Sequence, residues 1–149
     1  MLVVIAQKEE MKLVEELGYE NYPVLITGVG GANVIKALRD LPKNTEIMNI
    51  GYCGSNHFEV GTKVQAQFSE TNHDIAEFRE SSIPLNRVWN VIESATCYTS
   101  TDFVTKTNKE EPCIFDMELA FIASMFDNVS SIKVVSDKLN YKQYKNNVE

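Results

Sequence analysis

The chain has 149 residues, 44% of them hydrophobic, which suits one folded domain with a real core and not a disordered segment. Its 14 basic against 21 acidic residues give a net charge of −7, which argues against nucleic acid or an anionic membrane as the main partner while leaving room for a small anionic ligand. No apolar run approaches the ~20 residues of a membrane span, and three cysteines without CxxC spacing and two histidines point away from a disulfide framework and from a metal site.

The opening run Met1–Ala6 is too short for a signal peptide and has no basic start, so it reads as the first buried strand of a cytoplasmic protein. Residues 8–17 place Met11, Val14 and Leu17 on one helical face, and Gly18 closes that helix. Residues 23–28 follow as a second strand. Residues 31–41 form a second helix with Val34, Leu38 and Leu41 on one face and Pro42 as a stop. Strands are expected over 45–51 and 61–69. The polar stretch 70–87, which contains Pro84, reads as a long loop. Strand character returns over 88–100. Within 110–126, Leu119, Ile122, Ala123 and Phe126 share the buried face of a helix. Residues 130–137 form the last strand, and the polar tail beyond them is expected to fray. Alternating strands and helices imply βαβ units and a largely parallel sheet, with no internal repeat and no domain boundary over 1–149.

In such a sheet, ligands collect beyond the carboxyl ends of the strands. Glu9 and Glu10 follow the first strand, "TGVGGAN" (27–33) the second and "GYCGSN" (51–56) the third. "STDF" (100–103) follows a later strand, and Ser136 and Asp137 end the last. Met117 and Glu118 stand near the start of a helix that can reach the same rim. Each feature also has an ordinary reading. "GVGG" can be a tight turn, and the dinucleotide pattern fails at Asn33, so no nicotinamide cofactor is expected. Glu9 and Glu10 can be first-turn acids favoured by the helix dipole. Glu118 can be a solvated helix charge, although Met117 and Leu119 beside it favour a buried, paired role. Asp137 can be a helix cap as readily as a functional acid. Cys53 lies between glycines with no histidine adjacent, which favours packing over nucleophilic attack. His73 and Asp74 read as a polar loop pair.

Taken together, these segments resemble the nucleoside phosphorylase and nucleosidase superfamily, closest to the methylthioadenosine/S-adenosylhomocysteine nucleosidases. "VVIAQKEEMKLV" (3–14) is similar to the family's opening strand and the helix carrying its water-orienting Glu, here Glu10. "VLITGVGGANVIKAL" (24–38) resembles the next strand, turn and helix. "IMNIGYCGSNHFEVGTKV" (47–64) resembles the third-strand segment with its paired glycines. "NHDI" (72–75) resembles a His-Asp pair in the following connection. "YTSTDFV" (98–104) resembles the segment that sets an aromatic near the base. "FDMELAFIASM" (115–125) resembles the helix start whose Met and Glu hold the ribose. "KVVSD" (133–137) resembles the strand ending in a Ser-Asp pair.

The resemblance implies a three-layer α/β/α fold with a central mixed, largely parallel twisted sheet. It implies hydrolysis of a purine nucleoside's N-glycosidic bond, without cofactor or metal, in a homodimer. Asp137, next to Ser136, would protonate the purine, Glu10 would orient water, and Glu118 would accept bonds from the ribose hydroxyls. Met117 would pack under the sugar, with Tyr52, Cys53 and Gly54 bordering the substrate. Phe103 would stack on the base, unless Val104 holds that position. Asn49 stands where the family's phosphorylases usually carry Arg, which favours water over phosphate as the acceptor. Asp at 137 points to a 6-aminopurine such as adenine. The chain is shorter than typical members, without their early hairpin or the long helix after the acid, and Tyr52 replaces a small hydroxyl residue. Those departures leave a non-catalytic nucleoside-binding homologue open beside the enzyme.

Overall fold

The computed structural model describes residues 1–71 and 82–149. Most of the loop expected over 70–87, with the pair His73 and Asp74, lies outside the described residues. Strand β1 is Leu2–Ile5, and a short 3-10 turn, Lys8–Glu10, leads into helix α1, Met11–Glu16. Strand β2, Val24–Ile26, helix α2, Gly31–Leu38, and strand β3, Glu46–Ser55, follow. Then come β4 (Lys63–Thr71), β5 (Ile83–Pro84), β6 (Glu93–Thr99) and β7 (Cys113–Asp116). Helix α3 is Leu119–Met125, β8 is Asn128–Asp137, and helix α4 is Tyr141–Val148.

The open three-layer sheet expected above is corrected by the strand pairing. Strand β3 pairs with both β7 and β8, β7 with β6, β6 with β4, and β4 with β8, so five strands close into a barrel. Strands β1 and β2 extend from one side of β3, and β5 from β4. Three pairings, β3–β7, β4–β5 and β4–β8, are antiparallel. Closure follows from strand length and bending. Strands β3 and β8 each run ten residues and β4 nine, long enough for twist to accumulate. Register shifts at Cys53/Gly54 and Ala66/Phe68 add curvature. One edge of β3 changes neighbour along its length, pairing with β1 through Ile47–Asn49 and with β7 at Gly54 and Ser55. Local alternation carries no record of such an exchange.

Two further expectations change. Residues 113–116 form β7 before the helix begins, because β7 is drawn into the barrel between β3 and β6. The polar tail does not fray: α4 is capped by Asn140, whose side chain accepts from Gln143 N at 2.8 Å, and Val148 is buried beneath it. One apolar cluster, with Val34, Leu38, Leu119 and Ile122, packs α2 and α3 against the sheet, and another, with Leu13, Val14, Ile50 and Ile132, packs α1 against the opposite surface. Among the described residues, no helix is long and apolar enough to cross a membrane.

Candidate active site

A cavity of about 330 Å³ opens where the ends of β1, β3, β7 and β8 meet the starts of α3 and α4. The residues singled out in the sequence converge on it. Glu10, Tyr52, Cys53 and Gly54 line one side, Met117 and Glu118 another, and Phe103, Ser136 and Asp137 the rest. Val104 lines it as well, so the alternative to Phe103 lies beside it.

Glu10 is buried, and its carboxylate is fixed by main-chain donors. Ala6 N and Gln7 N donate to Oε1 at 2.9 and 3.2 Å, and Tyr52 N donates to Oε2 at 2.8 Å. Burial raises its pKa above the ordinary value, opposed by Lys133 and by those three bonds. Glu118 stands at the start of α3 and accepts from Gly30 N at 2.8 Å, the glycine of "GVGG" with φ 90°. Burial, reinforced by the nearby Asp116, pushes its pKa up to about 7. Asp137 ends β8. Ser136 Oγ donates to its Oδ1 at 2.7 Å and Asn140 N to its Oδ2 at 3.3 Å. Burial raises its pKa too, and the Ser136 bond opposes the shift. The cap-or-acid question for Asp137 therefore has a geometric answer: its carboxylate takes a bond at the entry to α4, but the helix cap is Asn140.

Glycine makes this crowding possible. A Cβ on Gly51 would sit 2.6 Å from Glu10 Oε2, and one on Gly54 would sit 2.9 Å from Asp137 Oδ2. Tyr52, which follows Gly51, borders the cavity and also packs with the α1-side cluster, with Lys12 Nζ 5.6 Å from its ring centroid. Its backbone N–H is the group that donates to Glu10 Oε2. Asn49 lies inside the sheet, donating to Val4 O at 3.2 Å and accepting from Ser131 Oγ at 2.9 Å. Burial pushes the Cys53 thiol far above its ordinary pKa, which suits packing and not a thiolate nucleophile.

No protein-family model matches the chain, and no curated protein matches it. Solved structures do. MTAN from Chlamydia trachomatis superposes with a TM-score of 0.80 at 19% identity, over 98% of this chain and 87% of that one. The same protein has been solved bound to adenine and, as a variant, bound to MTA. Futalosine hydrolase of Helicobacter pylori gives 0.76 at 14% identity, over 99% of this chain and 90% of that one. The 5'-methylthioadenosine/S-adenosyl homocysteine nucleosidase of the same organism gives 0.76 at 13%, with the same coverage. The chain has the MTAN fold.

Within that MTAN fold, sequence reasoning missed a buried ion pair beneath the cavity. Lys133 Nζ lies 3.1 Å from Asp116 Oδ2, both side chains being at most 2% exposed. Burial alone would depress the Lys133 pKa, but Asp116 foremost, then Cys97, Glu118 and Glu10, raise it above the ordinary lysine value. Asp116 also accepts from Thr99 Oγ1 at 2.6 Å and from Leu119 N, the first residue of α3, at 2.8 Å. The signal was in the sequence: Lys133 is the lone charge inside the apolar run of β8, where a charge survives only if paired. The tyrosines of α4 were missed as well, because the tail was read as frayed. Phe103 packs on Tyr141 and Tyr144 at centroid distances of 5.2 and 5.4 Å, and Gln7 Nε2 donates to Tyr144 OH at 3.0 Å.

Proposed function

We propose that this chain hydrolyses the N-glycosidic bond of an adenine nucleoside such as methylthioadenosine or S-adenosylhomocysteine. The observation that carries the reading is the convergence of Glu10, Glu118 and Asp137, each with a raised pKa, on one cavity. Breaking this bond needs a proton on the departing purine while positive charge grows on the sugar. A carboxyl whose pKa is raised by burial suits the first requirement and nearby carboxylates suit the second. Asp137, aligned by Ser136, delivers the proton to the base. Glu10, pinned by three N–H groups, orients the attacking water. Glu118 accepts bonds from the ribose hydroxyls and stabilises the oxocarbenium-like sugar. Met117 packs under the sugar and Phe103 against the base, with Cys53 and Gly54 leaving room beside them.

Phosphate as the acceptor is the weaker reading. A phosphate dianion needs Arg or Lys, and among the described residues none lines the cavity. Lys133 lies behind it and is already paired with Asp116. The resemblance also supports a homodimer, in which a neighbouring copy completes the pocket. Sedimentation at working concentration should then give twice the chain mass, and a monomer contradicts it.

The function is tested by incubating purified protein with methylthioadenosine, S-adenosylhomocysteine and adenosine, with and without phosphate, and separating the products. Free adenine and free sugar without phosphate are expected. Sugar 1-phosphate formed only with phosphate would establish the phosphorylase. Tight nucleoside binding without turnover would establish a binding protein.

A further inference from the structure

We infer that Gly31 and Phe121 act together as positioning residues for Glu118, holding the Gly30 amide against its carboxylate so that the carboxylate is set for the ribose hydroxyls. The inference rests on the nucleosidase reading, in which Glu118 binds those hydroxyls, and adds two residues that do not line the cavity. Glu118 and Phe121 share the first turn of α3, where Phe121 N donates to Glu118 O at 3.1 Å. Glu118 Oε2 accepts from Gly30 N at 2.8 Å. Gly31, the next residue and the first of α2, faces the Phe121 ring. A Cβ on Gly31 would meet three ring carbons at 2.4, 2.5 and 2.6 Å, so the ring comes this close only because residue 31 has none. Consecutive residues of the turn thus meet two side chains of one helical turn.

The direction of the dependence follows from what can move. The Phe121 ring is buried in the apolar cluster with Val34, Leu119 and Ile122, where close packing leaves it little room to turn aside. The turn it supports is more open: Val29 is exposed, and Gly28 and Gly30 take positive φ angles of 94° and 90°. Asn33 Nδ2 donates to Val29 O at 2.8 Å and Thr27 Oγ1 to Gly28 O at 2.7 Å, bonds that shape the turn without reaching α3. A Cβ at position 31 therefore displaces the turn and not the ring, and draws the Gly30 N–H away from Glu118. That N–H favours the ionised carboxylate, which burial opposes. A main-chain amide cannot be substituted away, so its aim is governed by the residue beside it.

The test measures kcat/KM for methylthioadenosine and for its 2′,3′-dideoxy analogue, which leaves Glu118 no hydroxyl to hold. Gly31→Ala should lose about ten-fold on the ribonucleoside, the scale of one charge-assisted hydrogen bond, and keep the parent value on the dideoxy compound. Adding Phe121→Leu to Gly31→Ala frees space beside the new Cβ and should restore most of that loss. Equal losses on both compounds mark a merely structural role and overturn the inference. So does a loss under about three-fold on the ribonucleoside, too small for a misplaced charged acceptor, or no recovery in the double variant. If the parent cleaves neither compound, the nucleosidase reading fails. The positioning is then read from urea unfolding of Gly31→Ala, Glu118→Ala and the two combined. Losses of stability that fail to add support a link through the Gly30 N–H, and additive losses overturn it.

Discussion

Asp137 and Glu10 owe their environments to residues that carry no chemistry of their own. Gly51 and Gly54 leave the space that the two carboxylates occupy. Gly51→Ala forces a Cβ to within 2.6 Å of Glu10 Oε2, and overpacking of this kind costs about 1–3 kcal/mol. Urea unfolding should register that loss, together with a fall in activity as Glu10 shifts. Lys133 is a second such residue. Replacing it with Met leaves Asp116 buried without its cation, which should cost about 3–5 kcal/mol, read from the same unfolding curves. The local pattern left Glu10, Glu118 and Asp137 open between structural and chemical roles, and the family resemblance singled them out. Lys133 was legible only as a buried charge in need of a partner, and that Asp116 is the partner was not, because a contact between β7 and β8 is a long-range fact that no local pattern records.

At the scale of elements, α4 alters the account most. A polar tail with little apolar content gives no helical signal, yet Asn140 caps it and Tyr144 bonds to Gln7. Asn147 Nδ2 also donates to Ser136 O at 2.8 Å, tying the helix to the strand end that carries the acid. Leu139 takes a φ of 61° in the turn between them, and its side chain packs with Tyr98, Cys113 and Phe115. Asn140→Ala should destabilise the protein by about 1 kcal/mol, the usual cost of a lost cap. It should also raise the KM for nucleoside, since Tyr141 and Tyr144 ride on that helix. An unchanged KM would mean that α4 has no part in binding. The β7 segment was likewise hidden, since "CIFD" runs directly into an amphipathic helix and four residues carry too little period to separate them.

For the whole molecule, the order of strands and helices was readable but barrel closure was not, because closure depends on which edges meet after β3 and β8 bend. The cavity gathers buried acids, and this makes stability depend on pH. Glu118 has a folded pKa of about 7 against an ordinary 4.5, so the folded state binds more protons across that interval. Its contribution to stability is full below 4.5 and is lost as pH rises to about 7. Glu10 and Asp137 shift in the same direction. Glu118→Gln should remove part of this slope, gaining stability relative to the parent as pH rises through that window and no further above it. Denaturant unfolding across the pH range measures this, and parallel curves for the two proteins would contradict the burial argument. The proposed reaction is cleavage of a glycosidic bond by water at this group of buried acids. The most direct test is the initial rate of adenine release from methylthioadenosine in phosphate-free buffer, for the parent and for Asp137→Asn. Steady release by the parent and a loss of about 10²–10⁴-fold in the variant are expected. Equal rates, or no release by the parent, would contradict it.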